Sequence, residues 1–296
     1  MDLSAWAYEA LPKTVLYAAL LLIVGAAVSR RMTSDIIRSL SWAGTGAELD
    51  QALARIGVVA SSVAVAALVL RAFLHTATVF GAPDALHWAN LRVIAFESRW
   101  SQGWRLQILT ACVLMLSAFG IRLNRRVGWL LYTIAAVTLC AMVPRLGHGA
   151  TSTGHLVLHI LHLGAVSAWL GTLAVILWLY FRKWPRDSDS RILDSVVMLL
   201  RRFSTIALPA AVLAILTGVI AAAIYVDSFS NLLTTPYGRT LIVKIGGFVG
   251  VLVCGWSNWR RLRTAKAPRP QTLLAELAFA VLVVLVTGVL TETEHP

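Results

Sequence analysis

The chain has 296 residues, 58% of them hydrophobic, with a mean hydropathy of +0.75. Soluble globular domains are about 45–50% apolar, whereas apolar runs of about 18 or more residues recur along this whole chain, so the composition predicts an all-α, polytopic membrane protein and excludes a large soluble domain. The net charge of +12 then indicates basic loops at a membrane surface, and no nucleic-acid partner is expected, because no soluble basic domain is available to bind one.

Taken in chain order, the apolar runs predict a bundle of eight transmembrane helices that forms a single domain over residues 1–296. The first run follows Asp2 and Glu9 and precedes two arginines, the reverse of the charge order of a secretory signal, so we expect it to remain as the first helix. Spans two, five and six exceed the roughly 20 residues needed to cross, so we expect tilting, with Pro209 a candidate kink in span six. The predicted spans cover residues 12–29, 54–80, 104–121, 127–144, 153–181, 196–226, 239–259 and 272–291.

The distribution of lysine and arginine predicts the orientation of the bundle. Most of the 26 basic residues lie in or beside the connections that follow spans one, three, five and seven. Because basic residues mark cytoplasmic loops, both termini are predicted to lie outside the cytoplasm. All seven histidines then fall on the outer side: His75, His87, His148, His155, His159, His162 and His295.

Residues 148–171, "HGATSTGHLVLHILHLGAVSAWLG", hold four of these histidines where span five begins. At about 100° per residue, His155, His159 and His162 occupy an arc of about 60° on one helix face. Trp169 continues this stripe deeper into the membrane and is a candidate for an ion path. The opposite face carries small residues suited to close helix packing: Gly164, Ala168 and Gly171.

Stacked imidazoles inside a membrane span predict a metal site, because imidazole is the commonest metal ligand and intramembrane ionisable groups are functional candidates by default. The outer two histidines of the stripe lie about 10 Å apart along the axis, so all three do not reach one ion. One interpretation joins an adjacent pair to His148 or His75, and another places two sites in series. The alternative is that the histidines only hydrogen-bond to neighbouring helices.

Softer donors accompany the histidines. Met142 ends span four close to His148 and is a further candidate ligand, and Cys140 precedes it by half a turn. Cys112 and Met115 share a face of span three near mid-membrane. Thiol, thioether and imidazole together favour Cu(I), so these residues predict a path inward from the outer histidines. The alternative for each cysteine and methionine is ordinary packing.

Three charged residues inside the apolar runs are candidates for structural ion pairs: Arg71, Lys244 and Glu276. Arg71 lies one turn before His75 and would neutralise Glu97 or Asp84, anchor an anionic cofactor group, or extend to the outer interface. Lys244 would also extend outward. Glu276 opens span eight near Asn258 and the arginines after it, which predicts an ion pair at the cytoplasmic edge.

Four stretches follow one another in the second half of the chain: Gly147-His148-Gly149 with "LHLGAVSAWLGTL", then "RRFSTIAL", "TPYGRTLIVKIGGF", and Asn258 with its arginines before Glu276. In this order they resemble the copper-resistance D family, CopD, of bacterial inner-membrane proteins. The resemblance is clearest over residues 145–291, and the first half matches mainly in hydropathy. It implies eight transmembrane helices, copper handling across the inner membrane, and a separate periplasmic partner of the CopC type. His148 and His162 match the family's pattern.

These observations predict a copper-binding inner-membrane protein that imports copper or hands it across the bilayer, with the outer histidines as the entry site. No nucleophile constellation, phosphate loop or paired carboxylates stand out, so the chain is not expected to be an enzyme. The alternative is a membrane oxidoreductase that holds haem b between His75 and His155 or His162, with Arg71 meeting a propionate.

Overall fold

The computed structural model describes residues 3–40, 43–146, 152–183, 190–226, 228–264, 266 and 268–293. These residues contain no β-strand, and eight of their helical segments are long and apolar enough to cross a membrane. The predicted all-α, polytopic membrane architecture with eight spans is therefore confirmed. His148 and His295 lie outside the described residues. The spanning segments are Glu9–Thr33, Glu48–Phe80, Arg99–Gly120, Arg125–Leu146, Thr153–Leu179, Leu199–Tyr225, Pro236–Arg263 and Pro270–Leu290.

Four of the helices that carry these spans begin at a residue whose side chain caps the helix. Ser98, Asn124, Ser152 and Thr235 each accept a backbone hydrogen bond at a helix start, which satisfies one of the unpaired N–H groups there. The helices are α1 (Leu3–Leu40), α2 (Ala43–Phe80), α3 (Trp88–Arg92), α4 (Arg99–Gly120), α5 (Arg125–Met142), α6 (Thr153–Val166), α7 (Thr172–Lys183), α8 (Ser190–Tyr225), α9 (Phe229–Thr234), α10 (Pro236–Arg263) and α11 (Pro270–Leu290).

The start of the first span and the end of the last span contact each other at one end of the bundle, and an even number of passes is consistent with both lying on the same side. Lys13 of α1 forms an ion pair with Glu292, just after α11. His75, near the end of α2, lies at the same end against Glu9 of α1. We call this end the terminal face. The opposite end carries a second ion-pair group, in which Arg30 and Arg125 both contact Asp50, and we call it the basic face.

Helix α1 lies between two apolar clusters. Leu20 belongs to the cluster formed with α2, α4 and α5, and the next residue, Leu21, belongs to the cluster formed with α7, α8, α10 and α11. Gly25 of α1 faces the backbone of Gly171, where a Cβ on either residue would overlap the other helix. The small-residue face predicted for span five thus includes the residue at which α1 packs most closely.

Span five differs from the single α-helix that the sequence predicts. A π-helical turn, Ser167–Gly171, joins α6 to α7. The wider turn changes the phase of the residues that follow it. Trp169 is buried and makes an edge-to-face contact with Phe248 of α10, with ring centroids 5.7 Å apart, whereas the histidines of α6 contact α8. Trp169 therefore packs against α10, and its part in an ion path stays a prediction.

Candidate functional site

The predicted histidine face of α6 packs against α8. His159 Nε2 lies 2.9 Å from Tyr225 Oη, and His162 Nδ1 lies 2.9 Å from Thr217 Oγ1. His155 lies one turn nearer the start of α6, where Ser152 caps the helix by accepting from the His155 amide. We call these five contacting residues the histidine seam: His155, His159, His162, Thr217 and Tyr225.

Two of the three imidazoles lie beside one phenol. The ring centroids of His155 and His159 are 6.1 and 5.7 Å from that of Tyr225. An i, i+4 histidine pair on one helix face is a spacing that allows both imidazoles to bind one metal ion. His155, His159 and Tyr225 are all half-buried and lie near the terminal face, so an ion can approach them from that side.

His162 lies deeper and has a different environment. A Cβ at Gly218 of α8 would lie 3.3 Å from His162 Cε1, so this imidazole fits against a residue without a side chain. Lys244 of α10, predicted to extend outward, is half-buried and within electrostatic range of His162. A lysine cation opposes a second positive charge nearby. The pair at Tyr225 is therefore the more favourable place for a metal ion.

His75 lies in a separate set of contacts between α1, α2 and α4. Its Nδ1 is 3.2 Å from Glu9 Oε1, and its ring stacks on Trp100 with centroids 4.5 Å apart. Trp104 extends the stack, with its centroid 5.9 Å from that of Trp100. His75 contacts α1 and α4, whereas His159 and His162 contact α8, so no described contact brings His75 to the seam.

Arg71 does not extend to the outer interface, because it is only 5% exposed. Its Nη2 donates to the Leu146 carbonyl at 3.1 Å, and its Cζ lies 5.8 Å from the Trp100 ring. The two carboxylates that the sequence offered as partners are engaged elsewhere: Asp84 contacts His87 and Glu97 contacts Arg92. Arg71 thus fixes the turn that follows α5 against α2.

The softer donors are only partly gathered by the fold. Cys140 is buried in α5, and its Sγ lies 3.9 Å from where a Cβ on Gly164 of α6 would be. The Met142 carbonyl accepts from Gln107 at 2.9 Å, which fixes the end of α5. Cys112 and Met115 are half-buried on α4. Their part in an ion path stays a prediction.

No group of three or more His, Cys, Asp or Glu side chains is arranged to hold a metal ion among the residues that the structure describes. A complete ligand set for His155 and His159 therefore needs another kind of donor, such as the phenol of Tyr225, or residues outside the described ranges, such as His148. Sequence reasoning missed Tyr225. The signal for it was a tyrosine at the outer end of span six, on the same predicted side as the histidines.

Glu276 lies near the other end of the bundle, between α10 and α11, and is 3% exposed. Its Oε2 accepts from Asn258 Nδ2 at 2.9 Å. The sequence predicted an ion pair here, but the partner that the structure places against this carboxyl group is a neutral amide. Thr272, which sequence reasoning did not single out, contacts the same amide.

Comparison with known proteins relates these features to a family. The model for "Copper resistance protein D-like, N-terminal domain" matches residues 4–158, and that for "Copper resistance protein D" matches residues 197–291. The first match covers the first half of the chain, where the sequence resembles the family mainly in hydropathy. The copper transport protein CutJ of Bacillus subtilis (strain 168) is 29% identical over 216 residues, which are 70% of this chain and 39% of that relative. The chain thus spans about two fifths of the relative's length. No solved structure matches the chain.

Proposed function

Because the chain belongs to the copper resistance protein D family, we propose that this multi-pass, copper-handling membrane protein carries copper ions across the bilayer and receives them at the histidine seam. Copper is the transported substrate in this proposal, and no catalytic role is assigned. The relative CutJ is named a copper transport protein, and this name supports the proposal.

The observation that carries the proposal is the pair of imidazoles around Tyr225. His155 and His159 lie one helical turn apart, and both rings contact the same phenol. Imidazole binds copper in either oxidation state, and the phenol oxygen adds a donor that suits Cu(II). The pair also lies at the start of a span, where an ion leaving water first meets the bundle.

The charge distribution supports an orientation. The Arg30–Asp50–Arg125 group and the arginines that end α10 lie at the basic face, which the positive-inside rule places in the cytoplasm. The terminal face, with the histidine seam, would then face the periplasm of a bacterial inner membrane. Copper would be delivered there by a CopC-like protein and move inward.

The haem alternative gains no support from the geometry. His75 stacks on Trp100 and faces Glu9, whereas His162 faces Thr217. A bis-histidine haem needs both imidazoles to face one plane between their helices. The same first experiment nevertheless separates the two functions.

The test is elemental analysis and an absorption spectrum on one detergent-purified sample, before and after copper loading. The variant His155→Ala/His159→Ala runs beside His87→Ala, which removes an exposed loop histidine from the same face. We expect the parent and His87→Ala to retain copper and the double variant to lose it. A Soret band that the double variant abolishes would instead assign haem. Copper retained equally by all three proteins would overturn the seam as the receiving site.

Transport itself is tested in liposomes. Copper entry into vesicles with the terminal face outward should exceed that of protein-free vesicles and fall in the double variant. Binding without flux would limit the protein to receiving copper.

A further inference from the structure

The side chain of Glu276, on α11, is 3% exposed and therefore buried within the bundle. It lies about 9 Å along α11 from Pro270, next to Leu273 and close to Ala280, both buried. An ionised carboxylate in such surroundings is costly unless it is compensated. Among the described residues, no lysine or arginine forms an ion pair with it, and its hydrogen-bond partner is the amide of Asn258.

The contacts of that amide continue toward water. Asn258 Oδ1 lies 2.6 Å from Thr272 Oγ1, and this hydroxyl also lies 2.8 Å from the Arg269 carbonyl. A hydroxyl group has one proton, so it donates to only one of these two oxygens at a time. Asn258 is 5% exposed, Thr272 is half-buried and Arg269 is exposed, so the chain of contacts leads from the buried carboxyl to the basic face.

This geometry accommodates both protonation states of the carboxyl group with no change other than a flip of the Asn258 amide. When Glu276 is ionised, Asn258 donates to it and accepts from Thr272. When Glu276 is protonated, its O–H donates to the amide oxygen after a flip of the Asn258 amide, whose NH₂ then donates to Thr272 while Thr272 donates to the Arg269 carbonyl. Both orientations of the Asn258 amide give Glu276, Asn258 and Thr272 a hydrogen-bond partner.

The remaining neighbours leave room for this exchange. A Cβ at Gly255 of α10 would lie 3.0 Å from Glu276 Oε1, so glycine gives this oxygen its space. Cys254 is the other titratable group of α10 within electrostatic range of the carboxyl. Thr272 of α11 contacts the same amide, and the residues that α7 and α8 contribute to the neighbouring apolar cluster, among them Leu173, Leu177 and Phe203, are not titratable.

We infer that Glu276 exchanges a proton with water that reaches it from the basic face, with the Asn258 amide and the Thr272 hydroxyl adjusting their hydrogen bonds to each protonation state, and that it releases this proton to that water when copper passes through the basic half of the bundle. The inference rests on the proposed copper transport. Release leaves a carboxylate that balances the charge of the passing ion, and the proton returns from the basic-face solvent after the ion has left. No other reactant is needed.

The experiment is infrared difference spectroscopy of the full chain in liposomes, with Glu276→Gln, Thr272→Val and Glu48→Gln beside the parent. Glu48 is an exposed glutamate at the basic end of α2 and serves as the matched control. We expect a protonated-carboxyl band in the parent and in Glu48→Gln that is absent from Glu276→Gln and disappears when copper is added. In Thr272→Val the band should remain, with hydrogen–deuterium exchange about tenfold slower.

A parent without the band, or a band that survives in Glu276→Gln, would overturn the proton site. A band that copper leaves unchanged while the same vesicles transport copper would overturn the coupling and leave the proposed function standing. If the parent transports no copper, the proposed function fails, and the isotope exchange of the band still decides whether Glu276 exchanges a proton.

Discussion

His159 of α6 and Tyr225 of α8 are joined by a 2.9 Å contact between Nε2 and Oη, although 66 residues separate them in the chain. The contact places the phenol oxygen of Tyr225 beside a predicted metal ligand, His159. It also orients the imidazole, as partners of metal-binding histidines commonly do.

Tyr225→Phe should therefore weaken copper binding by about 10- to 100-fold, the usual cost of losing a ligand or the group that orients one. The aromatic contacts with His155 and His159 are retained by phenylalanine, so the fold should persist. Tyr132→Phe is the matched control, because the Tyr132 hydroxyl donates to the Ile23 carbonyl inside the apolar cluster that α1 forms with α2, α4 and α5. Competition titration with a copper chelator measures both. Equal copper affinity in the two variants would show that the phenol takes no part.

The ion-pair group at the basic face should stabilise the packing of α1, α2 and α5 against one another. Asp50 is 4% exposed and lies 2.7 Å from Arg30 Nε, with Arg125 on its other oxygen. Asp50→Asn removes the buried negative charge that contacts both arginines and should cost about 3 kcal/mol of stability. Thermal unfolding in detergent measures this change.

Glu97→Gln provides the control for that prediction. Glu97 also contacts an arginine, Arg92, but both side chains are more than half exposed, so the loss should be about 0–1 kcal/mol. Equal unfolding temperatures for Asp50→Asn and Glu97→Gln would mean that burial of Asp50 adds nothing to the pair.

The contact between Gly25 and Gly171 should not tolerate a methyl group on either side. A Cβ at Gly25 would overlap the backbone at Gly171, and two backbones have no flexible side chain that can move away. Gly25→Ala should destabilise the protein by about 1–3 kcal/mol through overpacking. Gly246→Ala, where nothing lies within 4 Å of the added Cβ, should instead gain up to about 1 kcal/mol of helix stability. Thermal unfolding of both variants in one detergent gives the comparison, and a neutral Gly25→Ala would contradict it.

The eight spans and the shared face of the α6 histidines were predictable because hydropathy and helical period are local properties of the sequence. The partners of that face were not. Thr217 and Tyr225 lie 55 and 66 residues from the histidines that they contact, and no local pattern states which helices pair. The π-helical turn was also missed, because it accompanies close packing of Gly171 on α1, which is a tertiary property. The contact of Trp169 with Phe248 of α10 could not be predicted for the same reason.

Lys244 should limit how readily copper moves beyond the first pair of histidines. Its ammonium group lies within electrostatic range of His162, and two positive charges at short range in a poorly solvated site repel each other. Lys244→Met keeps most of the side-chain volume and removes the charge, so copper flux in liposomes should rise several-fold at low copper concentration. Lys266→Met, in the exposed segment after α10, is the control and should leave the flux unchanged. If Lys244→Met instead abolishes flux while copper still binds at His155 and His159, the amine itself is required for the ion to pass His162, and the lysine is part of the path instead of a barrier to it.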